Sequence, residues 1–191
     1  MRHSAFAVIT QEHQALAAML RSLVMLLDAA RRSGTAPDFD LLRAMLFYVD
    51  EFPERLHHPK ESELLFPKVR QRCPQLVPVL DRLDADHEHG QAAVRALQHA
   101  LLAFELMGES RREAFERAAH DYVDAYLRHM ALEEKEILPV AREHLTESDW
   151  DELDAAFAAN RDPLTGHEAA EAYRPLFRRI LTTAPAPIGL G

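Results

Sequence analysis

The sequence predicts an all-α protein: an up-down-up-down four-helix bundle with a short C-terminal helical extension. Composition points there first, because Ala and Leu dominate, hydrophobic residues make up 48% and only six glycines are spread over 191 residues, a balance that favours long helices over sheet. Apolar residues recur at intervals of three and four along most of the chain. The chain also repeats itself, as two helical hairpins of one design. At this length a single domain can bury roughly 70% of the surface its unfolded chain exposes.

The first helix is expected from about Ala5 to Arg32, with Phe6, Ile9, His13, Leu16, Leu20, Leu23 and Leu27 on one stripe. SGTAPD (33–38) makes a turn, and Asp38 is positioned to cap a second helix through LLRAMLFYVDEF. That helix then meets Pro53 and Pro59. Each costs about 3 kcal/mol in a regular helix interior, which predicts a kink beside His57 or, for Pro53, the first turn of a new helix. After RQRCPQLVP (70–78), a third helix carries Leu80, Leu83, His87, Val94 and Leu97 to about Met107, where Gly108 ends it. A fourth begins near Ser110 and runs through Phe115, Tyr122, Tyr126, His129 and Glu133 to about His144. Residues 1–145 thus read as the bundle, whose architecture places cofactor sites between facing helices. Residues 146–183 read as the extension, packed on the bundle or on a partner subunit of a homodimer. It comprises a capped helix in TESDWDELDAAFAAN, a turn in NRDPLTG, and an amphipathic helix interrupted near Pro175. Residues 184–191 read as a disordered tail.

The repeat carries the chemistry. HHPKESELLFPKVR (57–70) and HMALEEKEILPVAR (129–142) match without gaps at His57/His129, Glu61/Glu133, Pro67/Pro139 and Arg70/Arg142. Upstream, ITQEHQALAAMLRSL (9–23) aligns with LDADHEHGQAAVRAL (83–97), pairing Glu12 with Asp86 and His13 with His87. Each half therefore offers a lone histidine and an H-x-x-x-E, whose imidazole and carboxylate lie one turn apart on one helix face. His13, His57, Glu61, His87, His129 and Glu133 form the candidate ligand set. Imidazole and carboxylate together suit iron, manganese or zinc, with iron first, and six side chains leave coordination positions for water, hydroxide or a small ligand. Consecutive helical residues diverge by about 100°, so His58 is held as an outside ligand candidate and His89 as solvent-facing. Tyr126, three residues before His129, is either a hydrogen-bond donor behind the ligands or a core aromatic with its hydroxyl satisfied.

Other classes fit poorly. A net charge of −9 argues against a nucleic-acid surface. No apolar run approaches the roughly 20 residues of a membrane span, and the N-terminus lacks a secretory h-region, so a cytoplasmic protein is expected. Cys73 is the single cysteine, which leaves no internal disulfide or C-x-x-C pair. No hydrolytic or transferase motif is present. A ferritin-like carboxylate site would need a Glu three residues before His129, where Tyr126 stands. The remaining rival is a metal-free helical interaction module with histidines satisfied in its core.

With these residues in place, the chain resembles the hemerythrin-like HHE cation-binding proteins over about residues 5–145. The stretch AREHLTESDWDELDAAFAANRDPL also resembles the segment after the last motif in many bacterial members. The resemblance implies a non-haem di-iron bundle with an oxo or hydroxo bridge, in which zinc or manganese can substitute. It also implies binding of O2, NO or peroxide in sensing, scavenging, or iron storage and delivery. Oxygen-carrying hemerythrins have a further third-helix histidine where this chain has Gln91, which implies a more open site.

Overall fold

The computed structural model describes residues 3–190. Among them there are helices and no strands. α1 (Ser4–Ser33) buries Ile9, Leu16, Leu20, Leu23 and Leu27, and ends where Gly34 adopts φ 66° and donates its N–H to Ala30 and Arg31 carbonyls, a left-handed cap that glycine enters without a Cβ penalty. Asp38 caps α2 (Phe39–Glu51) by accepting the Leu41 N–H at 2.9 Å. α3 (His58–Lys60) and α4 (Phe66–Arg72) continue the same helical run. α5 (Val77–Met107) stops at Gly108, φ 74°. α6 (Arg112–Leu132) and α7 (Leu138–His144) form the next run.

Within these runs, successive helices are joined by three π-helical turns, Pro53–His57, Glu61–Leu65 and Glu133–Ile137. In each, the wide hydrogen bond is donated by the residue immediately before a proline: His58 to Pro53, Phe66 to Glu61 and Leu138 to Glu133. Pro59, Pro67 and Pro139 come next in the chain. A proline has no N–H to give and its ring collides with the carbonyl four residues back; adding one residue to the turn relieves the collision and re-aims the side chains on it. Pro53 both follows the end of α2 and opens the first such turn, so the two outcomes open at that position coexist.

Thr146 and Asp149 form a reciprocal capping box on α8 (Glu147–Phe157), which packs on α1. α9 (Arg174–Thr183) packs on α2. Pro175 sits in the first turn of α9, where its missing N–H has no helical partner to lose, so it starts a helix where an interruption was expected. In the stretch expected as a disordered tail, Ala184 is fully buried and Ser22 Oγ of α1 donates to the Pro185 carbonyl at 3.1 Å, while Leu190 is exposed and donates its N–H to the Leu181 carbonyl of α9. Gly191 falls outside the described residues.

The apolar core is divided. One cluster gathers Leu16 to Leu27, α2, the C-terminal half of α5, most of α6, and Phe177 and Ile180; the other gathers Ile9, Leu65, Phe66, Leu83, Ile137, Trp150 and Phe157. Each fully buried Leu, Ile or Phe is worth about 1.5–3 kcal/mol. Along α1 the division falls between Ile9 and Leu16, at His13; along α5 it falls between Leu83 and Val94, at His87. A polar layer fills the gap.

Candidate metal centre

The layer is built on a two-fold pattern that follows the sequence repeat. His57 Nε2 lies 3.0 Å from Glu61 Oε1, and His129 Nε2 lies 3.2 Å from Glu133 Oε1. Across the halves, His13 Nε2 lies 3.3 Å from Glu133 Oε2, and His87 Nε2 lies 3.5 Å from Glu61 Oε2. All six residues proposed from the sequence therefore converge, with both glutamates essentially sealed from solvent at 0% and 1% exposure.

Every inward-facing imidazole is held from behind through Nδ1. Glu12 holds His57 at 2.6 Å and Asp86 approaches His129 at 3.4 Å; Glu134 holds His13 at 3.2 Å and Ser62 holds His87 at 2.8 Å. Such partners fix the ring orientation and direct Nε2 inward. Sequence reasoning misses these four supporting residues. A signal is nevertheless present, since Glu12 and Asp86 precede the lone histidines and Ser62 and Glu134 follow the motif glutamates, at equivalent positions of the repeat.

The pattern breaks at His58, whose repeat counterpart is Met130. Its ring is buried, stacks on His87 at 4.2 Å and lies 5.7 Å from His129. Glu54 accepts from its Nδ1 at 3.3 Å, from the Tyr126 hydroxyl, and from Tyr122 at 3.4 Å. Tyr126 is thus a core aromatic with a satisfied hydroxyl and also part of the shell behind His58. His89 is exposed, as expected. His3 stacks on Trp150, while His99, His144 and His167 lie outside the cluster.

The electrostatics are divided as well. Burial lowers the His57 and His129 imidazoles, but Glu61 and Glu12 overcome this to raise His57 to about 10, and Glu133, with Glu61 and Asp86, raises His129 to about 9. Burial also lowers His87, and positive neighbours led by His58 add to it, bringing it to about 2. Glu61 is held well below the usual carboxylate range because His57, His13 and His87 outweigh its burial.

The donor set fits a cation. His57 Nε2 and all four carboxylate oxygens of Glu61 and Glu133 are buried without a hydrogen-bond partner, a condition that costs several kcal/mol per charged group unless something else compensates it. Two donors about 2.1 Å from one ion at right angles stand about 3 Å apart, close to the His57–Glu61 and His129–Glu133 separations. Two groupings have ligand-type spacing: His13, His57 and Glu61; and His58, Glu61, His87 and His129. The second opens to a cavity of about 120 Å³ lined by Gly90, Tyr122, Tyr126 and the three histidines. On the first side only about 10 Å³ remains, between His13, His57, Tyr48, Asn160 and Asp162.

The sequence pattern described as "Hemerythrin HHE cation binding domain" matches residues 4–141. The chain belongs to the hemerythrin HHE family. Cation binding is the property that the family's description carries. A Haemophilus influenzae protein described only as uncharacterized is 30% identical over 106 residues, which are 56% of this chain and 60% of that relative. This hemerythrin-like chain therefore covers less than two thirds of that relative's length. None of its described helices is long and apolar enough to cross a membrane.

Proposed function

We propose that this hemerythrin-like chain holds two iron ions within an up-down-up-down bundle of residues 1–145, and binds O2, NO or peroxide there as a sensor, scavenger or iron-handling protein. His13 and His57 would hold one ion, and His58, His87 and His129 the other, with Glu61 and Glu133 shared between them. The observation that carries the reading is the two-fold set of buried carboxylate oxygens and inward-facing Nε2 atoms, each imaged by the sequence repeat. Iron supplies a redox-active, Lewis-acidic centre able to bind such ligands.

The protein's part is geometric and electrostatic. Glu12, Asp86, Glu134 and Ser62 hold the imidazoles in place, so little reorganisation accompanies binding. The 120 Å³ cavity admits a molecule of a few atoms on the His87/His129 side, and the apolar clusters above and below exclude bulk water. The arrangement is asymmetric, with the ligand entering beside His58 and Tyr126. Residues 146–183 act as an extension that closes the opposite side.

Anaerobic reconstitution with ferrous iron tests this reading, with metal counted per chain and optical spectra recorded before and after O2, NO and peroxide. Two irons and a ligand-dependent spectrum are expected. A folded protein that takes up no stoichiometric metal would instead be a helical interaction module.

A further inference from the structure

We propose that Asn160, in the extension after α8, is a positioning residue for the His13/His57 half of the centre, acting through Glu12; the proposal rests on the metal-binding reading above. Glu12 Oε2 accepts from two directions, His57 Nδ1 at 2.6 Å and Asn160 Nδ2 at 2.8 Å. The other end of the Asn160 amide accepts from Lys60 Nζ, so both of its polar atoms are engaged. Glu12 and Asn160 are 7% and 5% exposed. In this burial a carboxylate steered by two donors keeps one orientation, and the orientation of Glu12 sets that of the His57 ring.

The backbone around Asn160 is shaped for this contact. Arg161 has φ 46°, a left-handed conformation uncommon for a residue with a Cβ. It lies between two inward-facing side chains, Asn160 on Glu12 and Asp162, which accepts from Tyr48 at 2.6 Å and caps Leu164 at 2.9 Å. The two-fold pattern supplies the contrast: Asp86, the counterpart of Glu12, is largely exposed at 45% and stands 3.4 Å from its histidine. The more tightly held imidazole is the one the extension reaches.

The test compares Asn160→Leu with Leu153→Ala, a core change on α8 that loosens the extension without touching Glu12, in the full chain. Ferrous and cobalt(II) ions are titrated anaerobically against a chelator, and the cobalt spectrum and chelator-treated Tm are recorded. Asn160→Leu should weaken one of the two ions by about tenfold to a hundredfold, the range for losing a residue behind a ligand, and alter its cobalt spectrum. Leu153→Ala should lower Tm and leave both affinities in place. Asn160→Asp, which keeps an acceptor for Lys60 but gives Glu12 no donor, should behave like Asn160→Leu. Wild-type affinities in Asn160→Leu, or losses that simply track Tm in both variants, overturn the proposal. Failure of the wild-type chain to bind either ion overturns the metal-binding reading and this proposal with it.

Discussion

His57 and His58 are consecutive in the chain, yet both rings are buried in the polar layer, meeting edge to face with centroids 5.8 Å apart and planes inclined at 82°. A regular helix would send them about 100° apart. The π turn Pro53–His57, closed by the His58 N–H, widens the helix at them, and Pro59 just after is what a regular turn could not accommodate. His58→Ala should therefore weaken the ion on the His87/His129 side by at least about tenfold while leaving the other in place, as read by chelator competition. Unchanged affinities would put His58 outside the ligand set.

Much of this is legible in the sequence, and the reasons are physical. A repeat with the same residues at the same offsets places His13, His57, Glu61, His87, His129 and Glu133 on equivalent helix faces, so their convergence follows from helix periodicity. Asp38, Gly108 and Thr146 mark helix ends through local hydrogen bonding and φ preference, which need no tertiary context. His58 stays only an outside candidate when the angle between neighbours is taken from a regular helix, and proline content reveals a disturbance without saying whether it becomes a kink or a wider turn. Asn160 is invisible for another reason: its partner Glu12 is 148 residues away, and no periodicity links a loop to a helix.

Gly90 faces Glu54 so closely that a Cβ there would lie 2.7 Å from Glu54 Oε1. Glu54 has little freedom to retreat, being held by His58, Tyr122 and Tyr126. Gly90→Ala should cost about 1–3 kcal/mol in denaturant unfolding, although alanine is intrinsically the better helix former by about 1 kcal/mol. In a Glu54→Ala background the same change should be neutral or stabilising. Equal costs in both backgrounds would show that the strain lies elsewhere.

Glu61 and Glu133 each reach imidazoles of both halves. Truncation of either should therefore disturb both ions. Metal counting on Glu61→Ala and Glu133→Ala is expected to find both losing cooperative uptake of the pair. Clean loss of one ion, with the other bound at wild-type affinity, would rule out a shared carboxylate.

Between about pH 6.5 and 9, acidity should act in opposite directions on the chelator-treated and the metal-loaded protein. His57 and His129, raised to about 10 and 9, bind protons more tightly folded than unfolded. Their contribution to the stability of the chelator-treated protein is complete below about pH 6.5 and is lost as pH rises through 9 and 10. His87, lowered to about 2, works the other way: below about pH 6.5 the unfolded imidazole takes up a proton that the folded one refuses, so folding weakens with acid. Chelator-treated Tm should consequently peak near neutrality and decline by pH 9. Metal must displace the protons on His57 and His129, so apparent iron affinity should climb between pH 7 and 9, with about two protons released per loaded chain at pH 7.5. Calorimetric titration in buffers of different ionisation enthalpy counts those protons; release near zero would mean that neither histidine yields its proton to the metal.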